Sequence, residues 1–423
     1  MLIDLKKQIE DKIGFKIINR GDCELLSNII LDILGIEISY NTIRRLYGLA
    51  PSTKPNINTL DKLSKFLGYA DYIKFCQEYE FKEKQILSSK IYKLIYDGDR
   101  KKILKNIRII KNSHQNFTEF ITLLIRELFH AKKFKIIDEI FNLNELNYNN
   151  FTYSELLHIG NCIGLIIRRQ GLNDVTLMNN TNLLYCVYLT FVDYSSLNGY
   201  YGKWTDYVLK KKKSGDIMIF SSAILGFKNF LNNEKITFNN FELIYSNQLN
   251  PILRSRLLSL YIIKNDKKDI IQLLNSYYKS HKKSGLSDLY YELFTTAILI
   301  NNLEMMKYLV SKLSLKIEYY YQKSHLNNFY LMCMFYYKLI GEKKKEIEYF
   351  NLFKMDETRY SYHEFVSIFY NIYLFNNSDN SAEKRIIKEN YTKTVKKMEY
   401  IFFDEIYLKT YFLVKHRLNT ITV

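Results

Sequence analysis

Residues 22–68 read DCELLSNIILDILGIEISYNTIRRLYGLAPSTKPNINTLDKLSKFLG, and this stretch decides the fold of the N-terminal region. Apolar residues recur at helical spacing on both sides of Gly35, which predicts two helices joined by the turn Gly35-Ile36-Glu37-Ile38. A helix-turn-helix needs two helices joined by a short turn that often contains Gly. The stretch therefore predicts such an arrangement, followed by a loop with Pro51 and Pro55 and then a further helix.

Cap and stop residues divide the first 80 residues into five short helices. Glycine often follows the last turn of a helix, because it adopts the left-handed backbone conformation readily. Short polar side chains often precede the first turn, because their oxygens accept hydrogen bonds from its free N–H groups. The expected stops are Gly14, Gly35, Gly48 and Gly68, and the expected N-caps are Asp22, Ser39, Asn58 and Asp71.

The short third helix has an apolar face and a polar face. Ile43, Leu46 and Tyr47 share one side of a helix and are expected to hold it on the domain. Arg can bond to a guanine edge and Asn to an adenine edge, while Thr or Tyr can hold a phosphate. The candidate DNA-binding residues are Ser39, Tyr40, Asn41, Thr42, Arg44, Arg45 and Lys54.

Several short segments of this region form a recognisable series. They are Leu25-Leu26-Ser27, Leu34-Gly35, Ile38-Ser39, Thr42-Ile43-Arg44-Arg45-Leu46, Gly48, Thr59-Leu60-Asp61-Lys62-Leu63 and Phe66-Leu67-Gly68. In this order they resemble the lambda-repressor-like helix-turn-helix family, which implies that the third helix enters a DNA major groove. The turn that leads to Ser39 departs from the family, because it is about two residues longer than usual.

The N-terminal region is nearly neutral, although the whole chain is basic. The 423 residues contain 61 Lys and Arg and 44 Asp and Glu, a formal net charge of +17. Residues 1–85 hold 13 of the basic and 12 of the acidic residues. Nonspecific DNA affinity depends on neutralising phosphates, so this balance favours a protein-binding domain. A local patch of Arg44, Arg45 and Lys54, to which Arg20 can add, favours DNA contact instead.

The composition of the whole chain predicts an all-α protein. Only 15 Gly and 3 Pro occur in 423 residues, whereas average usage is about 7% and 5%. Large sandwiches and barrels need many Gly- and Pro-containing turns between short strands. Hydrophobic residues make up 47% of the chain, which indicates a folded protein with a sizeable core.

Helical hairpins are predicted to repeat in the rest of the chain. Turns are expected at Asn265-Asp266, Asn301-Asn302, Gly341-Glu342 and Asn376-Asn377, at intervals of 36, 40 and 35 residues. Helical-hairpin solenoids have periods of about 34 to 47 residues. We therefore expect a small helix-turn-helix-like bundle at residues 1–85, followed by an α-solenoid at residues 86–423. Residues 171–250 are less regular, and their hairpins are not assigned.

This combination resembles peptide-sensing bacterial transcription regulators, in which a repressor-like domain precedes tetratricopeptide repeats. The tetratricopeptide consensus itself is absent, so the likeness lies in the architecture. It implies a DNA-binding regulator whose helical repeats bind a peptide or protein ligand or form a homodimer. The alternative is a non-enzymatic scaffold whose N-terminal domain binds protein and not DNA.

Other functional classes lack a signal in the sequence. No catalytic or dinucleotide-binding motif is present, so we expect a protein that is not an enzyme and has no cofactor. His158 and Cys162 supply only half of a zinc site, so no metal is expected. The five cysteines are widely spaced, and no signal peptide or membrane-length apolar run is visible. A cytoplasmic protein without membrane contact is therefore expected.

Overall fold

A computed structural model shows the fold of the chain. It describes all residues except 52–53, 113–116, 171–173, 212–214, 240, 246–250, 266–268, 281–285, 314–322 and 414–423. Every regular element in the described residues is a helix, which confirms the predicted all-α class. None of the helices in the described part combines the length and the apolarity that crossing a membrane requires.

The chain divides into two compact units, Met1–Asn106 and Ile107–Val423. The boundary proposed from the sequence, after residue 85, falls inside a helix that runs from Tyr72 to Asp97. This helix contains no Gly or Pro, so nothing in its sequence ends it before Gly98. Gly98 has a φ of 64° and closes the helix in the left-handed conformation.

The first unit is built around one apolar core, formed mainly by Leu5, Ile9, Leu26, Ile30 and Phe66. Each of these side chains is almost completely buried. A further helix crosses the division at residue 106. The helices are α1 (Leu2–Ile13), α2 (Arg20–Leu34), α3 (Tyr40–Leu46), α4 (Ile57–Phe66), α5 (Tyr72–Asp97) and α6 (Arg100–Asn112).

Two N-cap predictions are confirmed and two are wrong. Ser39 and Asp71 accept backbone hydrogen bonds at the starts of α3 and α5. Asn19, and not Asp22, is the N-cap of α2, and the two residues form a reciprocal capping box. Asn56 similarly caps α4, with Asn58 N–H as the donor. In both helices the N-cap is a polar residue that lies two or three positions before the predicted one. The predicted residue, Asp22 or Asn58, lies in the first turn of the helix.

The second unit consists of helices that mostly pack in consecutive pairs. Within the pairs α7/α8, α11/α12, α15/α16, α17/α18 and α19/α20, short connections join helices that contact each other; in addition, α15 contacts α13 and α17. The helices are α7 (Phe117–His130), α8 (Phe134–Phe141), α9 (Tyr153–Gln170), α10 (Thr181–Leu183), α11 (Tyr200–Lys210), α12 (Asp216–Leu231), α13 (Pro251–Lys264), α14 (Ile270–Ser280), α15 (Leu286–Leu299), α16 (Leu303–Leu313), α17 (Lys323–Leu339), α18 (Lys343–Leu352), α19 (His363–Asn377), α20 (Ser381–Met398) and α21 (Glu405–Thr410).

The predicted turns agree with the helix ends in most places. Asn301 (φ 51°) and Gly341 (φ 77°) both adopt the left-handed conformation between paired helices. The Asn376-Asn377 pair ends α19, so that turn follows two residues later than predicted. Asp266 lies outside the described residues. The described part of residues 171–250 contains the regular pair α11/α12, which the sequence did not assign, beside short 3-10 segments and a five-residue π-helical segment at Leu184–Tyr188.

A charged network lies inside the apolar core of the second unit. Arg256 Nε lies 3.0 Å from Glu292 Oε1, and both side chains are almost fully buried. The hydroxyl of Tyr194 donates to Glu292 Oε2 at 2.9 Å, and that of Tyr362 donates to the same oxygen at 2.7 Å. These partners satisfy a carboxylate that would otherwise be very costly to bury. The network connects α13 and α15 with the segments that precede α11 and α19.

Candidate nucleic-acid interface

The turn between α2 and α3 is fixed from both sides. Ser27 Oγ on α2 donates to the carbonyl oxygen of Ile38 at 2.6 Å. Lys62 Nζ on α4 donates to the carbonyl oxygen of Glu37 at 3.0 Å. Backbone carbonyls in a turn have no helical partner, so these side chains satisfy them. The turn therefore gives α3 a defined direction relative to α2 and α4.

The inner face of α3 agrees with the prediction from spacing. Ile43 is completely buried and Leu46 is 7% exposed. The half-buried Tyr47 donates its hydroxyl to the carbonyl oxygen of Lys6 on α1 at 3.3 Å. Burial raises the pKa of Tyr47 well above its usual range, so its hydroxyl stays protonated and able to donate. Helix α3 is thus anchored by both apolar packing and a hydrogen bond.

The outer face of α3 presents the predicted polar residues. Asn41 and Arg45 are exposed, whereas Tyr40, Thr42 and Arg44 are half-buried. Arg44 Nη1 donates to Asn41 Oδ1 at 3.2 Å, which places the two groups side by side. Such a pair offers both a guanidinium and an amide to a base edge.

Two predicted residues have additional structural contacts. Ser39 Oγ accepts from the Asn41 N–H at 3.3 Å and therefore serves as the cap of α3. The ring of Tyr40 lies 5.0 Å from the guanidinium carbon of Arg20. Arg20 in turn pairs with Glu24 at 2.7 Å. Tyr40 is thus held against the first turn of α2, and its ring also packs against the core of the unit.

A small cleft brings three of the predicted residues together. Its volume is about 190 Å³, and it lies between α3 and the start of α4. Sequence reasoning missed Asn56 and Thr59, because only the folding of the intervening loop places α4 beside α3. The lining residues are Thr42, Arg45, Leu46, Lys54, Pro55, Asn56 and Thr59.

The charge on this side of the first unit is uncompensated. Residues 38–60 contain Arg44, Arg45 and Lys54 and no Asp or Glu. None of these three cations forms an ion pair with any residue that the structure describes. Three other cations of the unit do form ion pairs, in Lys16–Glu10, Arg20–Glu24 and Lys74–Glu78, whereas Lys7 on α1 forms none with a described residue. A nearly neutral unit therefore carries a local positive face.

A second, larger cleft lies within the second unit. Its volume is about 510 Å³, in the range of small-molecule sites. Glu364 inside it accepts from Lys397 Nζ at 2.7 Å and pairs with Arg168. Burial raises the pKa of Glu364, but the bonds from these cations outweigh it and lower the pKa to about 2. The lining residues are Arg168, Arg169, Asp356, Thr358, Tyr360, His363, Glu364 and Lys397.

A buried carboxylate lies behind this second cleft. Asp193 Oδ2 is 3.5 Å from Arg168 Nε and accepts from the hydroxyl of Tyr200 at 3.0 Å. Burial raises the pKa of Asp193 to about 6, despite these two partners. Arg168 is therefore shared by two carboxylates, Asp193 and Glu364.

The half zinc site noted in the sequence gains no further ligand. His158 Nε2 lies 3.8 Å from Cys162 Sγ. Across the described residues, no group of three or more His, Cys, Asp or Glu side chains is arranged to hold a metal ion. Burial raises the pKa of the Cys162 thiol, which keeps it protonated. We therefore interpret the contact between His158 and Cys162 as side-chain packing on one face of α9.

The chain matches no protein-family model, no curated protein and no solved structure in the comparisons made with each.

Proposed function

We propose that the protein is a DNA-binding transcriptional regulator in which α2 and α3 form a helix-turn-helix. The observation that carries the proposal is the positive outer face of α3 beside the α3/α4 cleft. Its cations Arg44, Arg45 and Lys54 lack an ion-pair partner among the described residues. The face belongs to a helix whose inner side is anchored in the core. A fixed helix with free donors is what major-groove recognition requires.

The side chains divide into two roles in this proposal. Asn41, Arg44 and Arg45 read base edges, because Arg and Asn form bidentate bonds with guanine and adenine. Thr42 and Lys54 contact the phosphate backbone from the cleft, because both line it and can donate hydrogen bonds to phosphate oxygens. Phosphate contacts set the register of a protein on DNA, and base contacts set its sequence preference.

We propose the second unit as an α-solenoid of helical hairpins that controls the first. The consecutive contacts of α13, α15 and α17, together with the paired helices, support this architecture. The cleft around Glu364 is the candidate ligand site, because its volume suits a small molecule and it is lined by charges of both signs. A peptide or protein ligand, or a second copy of the chain, would act through this unit.

A protein-interaction scaffold is the second candidate. The observation that favours it is the exposure of large apolar side chains on α2: Leu25 is 49%, Leu31 44% and Ile33 58% exposed. Surfaces that bind other proteins contain exposed apolar side chains of this kind. In that case α2, and not α3, carries the main contact.

Selection of binding sites from random duplex DNA with the full-length protein separates these candidates. We expect one sequence to be enriched, and Arg44→Ala and Arg45→Ala each to weaken its binding by about 1–3 kcal/mol. Each variant should also relax the base preference at one position. Lys7→Ala is the matched control, because Lys7 is exposed on α1 and makes no ion pair in the described chain.

Two results would support the scaffold. Either no sequence is enriched, or both arginine variants bind the enriched sequence as well as the parent does. Thermal unfolding of each variant checks that the fold is intact: a substitution of the exposed Arg45 should change stability by less than about 0.5 kcal/mol, and the half-buried Arg44 needs this check most.

A further inference from the structure

Helix α20 carries a row of cations, the basic stripe, which is formed by Arg385, Lys388, Lys393 and Lys396. Together with Glu389 and Thr392 they line one shallow open groove. Counted from Arg385, the other five lining residues follow at three, four, seven, eight and eleven positions, which places all six on a single helix face. At 1.5 Å per residue the stripe is about 16 Å long.

The opposite face of α20 is fixed on the second unit. Ile387, Tyr391 and Met398 are 6%, 2% and 2% exposed. Tyr391 also donates its hydroxyl to the carbonyl oxygen of Asp404 at 3.2 Å. The helix also contacts α19. The stripe therefore points away from the core and keeps a fixed spacing between its charges.

The positive charge of the stripe is only partly neutralised. Arg385 pairs with Glu389 at 3.1 Å, and Lys388 pairs with Glu405 at 2.8 Å. Glu405 is shared with Lys409, so it balances only one of its two cations. Lys393 and Lys396 make no ion pair with any described residue. The groove lining itself holds four cations and one carboxylate, and Glu405, outside the lining, is shared between Lys388 and Lys409.

We propose that the basic stripe binds the phosphate backbone of duplex DNA as a second, sequence-independent contact; this inference rests on the proposed DNA-binding function. A regular row of Lys and Arg on a rigid helix complements a backbone with one phosphate per about 3.4 Å of each strand. Protein–DNA interfaces are much more positively charged than protein–protein interfaces, in which Lys is depleted.

The composition of the stripe argues against two other anionic partners. A membrane-surface helix inserts its apolar face into the lipid, whereas the apolar face of α20 is buried in the protein. Energetic centres of protein interfaces are rich in Trp, Tyr and Arg, whereas the stripe has no aromatic residue and three of its four cations are Lys. Sequence-independent binding to backbone phosphates requires only positive charge, which the stripe provides.

The experiment measures the affinity of the full-length protein for duplex DNA of scrambled sequence between about 50 and 200 mM salt. The variant Lys393→Gln/Lys396→Gln should bind about 30-fold more weakly at 0.15 M salt. The slope of log affinity against log salt should fall in magnitude by about 1.8, since two phosphate contacts are lost. Lys135→Gln/Lys203→Gln removes the same charge from exposed positions on α8 and α11 and should leave the slope nearly unchanged.

The other outcomes separate this inference from the proposed function. If the stripe variant keeps the parental slope while Arg44→Ala abolishes sequence selection, the stripe proposal is overturned and the regulator stands. If the stripe variant lowers the slope while no sequence is ever enriched, DNA contact by α20 is supported and the regulator fails. Stripe-dependent binding to vesicles of phosphatidylcholine and phosphatidylserine, without binding to DNA, would overturn the inference in favour of a lipid surface.

Discussion

Glu292 and Glu364 show how the second unit surrounds two carboxylates with different partners. Glu292 is 2% exposed, and it is compensated by one guanidinium and two tyrosine hydroxyls. Glu364 lines an open cleft and is compensated by two cations, Arg168 and Lys397. The first arrangement joins helices inside the core, whereas the second leaves its charges within reach of a ligand. The sequence alone did not indicate either network, because their members are up to about 200 residues apart.

The lowered pKa of Glu364 predicts a specific pH dependence of stability. The folded pKa of about 2 is below the ordinary value of 4.5, so the ionised form stabilises the fold above pH 4.5. This contribution is lost as pH falls from 4.5 towards 2. We expect Glu364→Gln to reduce the free energy of unfolding by about 2 kcal/mol at pH 7 and by much less at pH 3.

Urea unfolding at several pH values measures this difference. Glu348→Gln, at an exposed position on α18, is the control and should match the parent at each pH. Asp193→Asn should have the opposite effect on stability. The pKa of Asp193 is raised to about 6, so the parent loses stability as pH rises from about 4 to 6 and this carboxylate ionises. The variant cannot ionise here and should not show this loss. A Glu364→Gln deficit that stays constant from pH 7 to pH 3 would show that packing, and not charge, explains it.

At the scale of single elements, local signals predicted where helices exist better than where they begin and end. The stops at Gly14 and Gly35 and the cap at Ser39 were predictable because each depends on one residue and its neighbours. The caps of α2 and α4 were misplaced because two polar residues competed within one turn. The α3/α4 cleft depends on the path of a loop, so Asn56 and Thr59 gave no signal in the sequence.

The turn before α3 provides a test of how this element is positioned. Gly35 has a φ of 65°, and a methyl group at its position would meet no other heavy atom within 4 Å. We therefore expect Gly35→Ala to cost about 1–2 kcal/mol through backbone strain alone. Gly35→Asn should recover part of this loss, because Asn tolerates the left-handed conformation better than Ala.

Thermal unfolding of both variants gives the comparison. Equal stability of Gly35→Ala and the parent would mean that the turn adopts another conformation in solution. A larger loss for Gly35→Asn than for Gly35→Ala would point to crowding at this position and would contradict the open space found there.

At the scale of the whole molecule, composition and periodicity predicted the all-α class and most paired helices. The side chains beside the predicted turns at Asn301 and Gly341 are buried: Phe294, Leu299, Met305, Leu309, Leu331 and Phe335 are all at most 1% exposed. The division of the chain was harder to predict, because it depends on which helices contact each other and not on composition. A long helix without Gly or Pro runs through residue 85, where the sequence had placed the boundary.

Separate apolar cores predict that the two units respond separately to core mutations. Leu309 is completely buried on α16 and Leu26 on α2, in different units. Each Leu→Ala change should cost about 2–5 kcal/mol, from lost transfer energy and the cavity that remains. We expect amide hydrogen exchange to accelerate in residues 107–423 for Leu309→Ala and in residues 1–106 for Leu26→Ala. Faster exchange across both units in either variant would show instead that the chain unfolds as one cooperative body, since local destabilisation would then be shared by every amide.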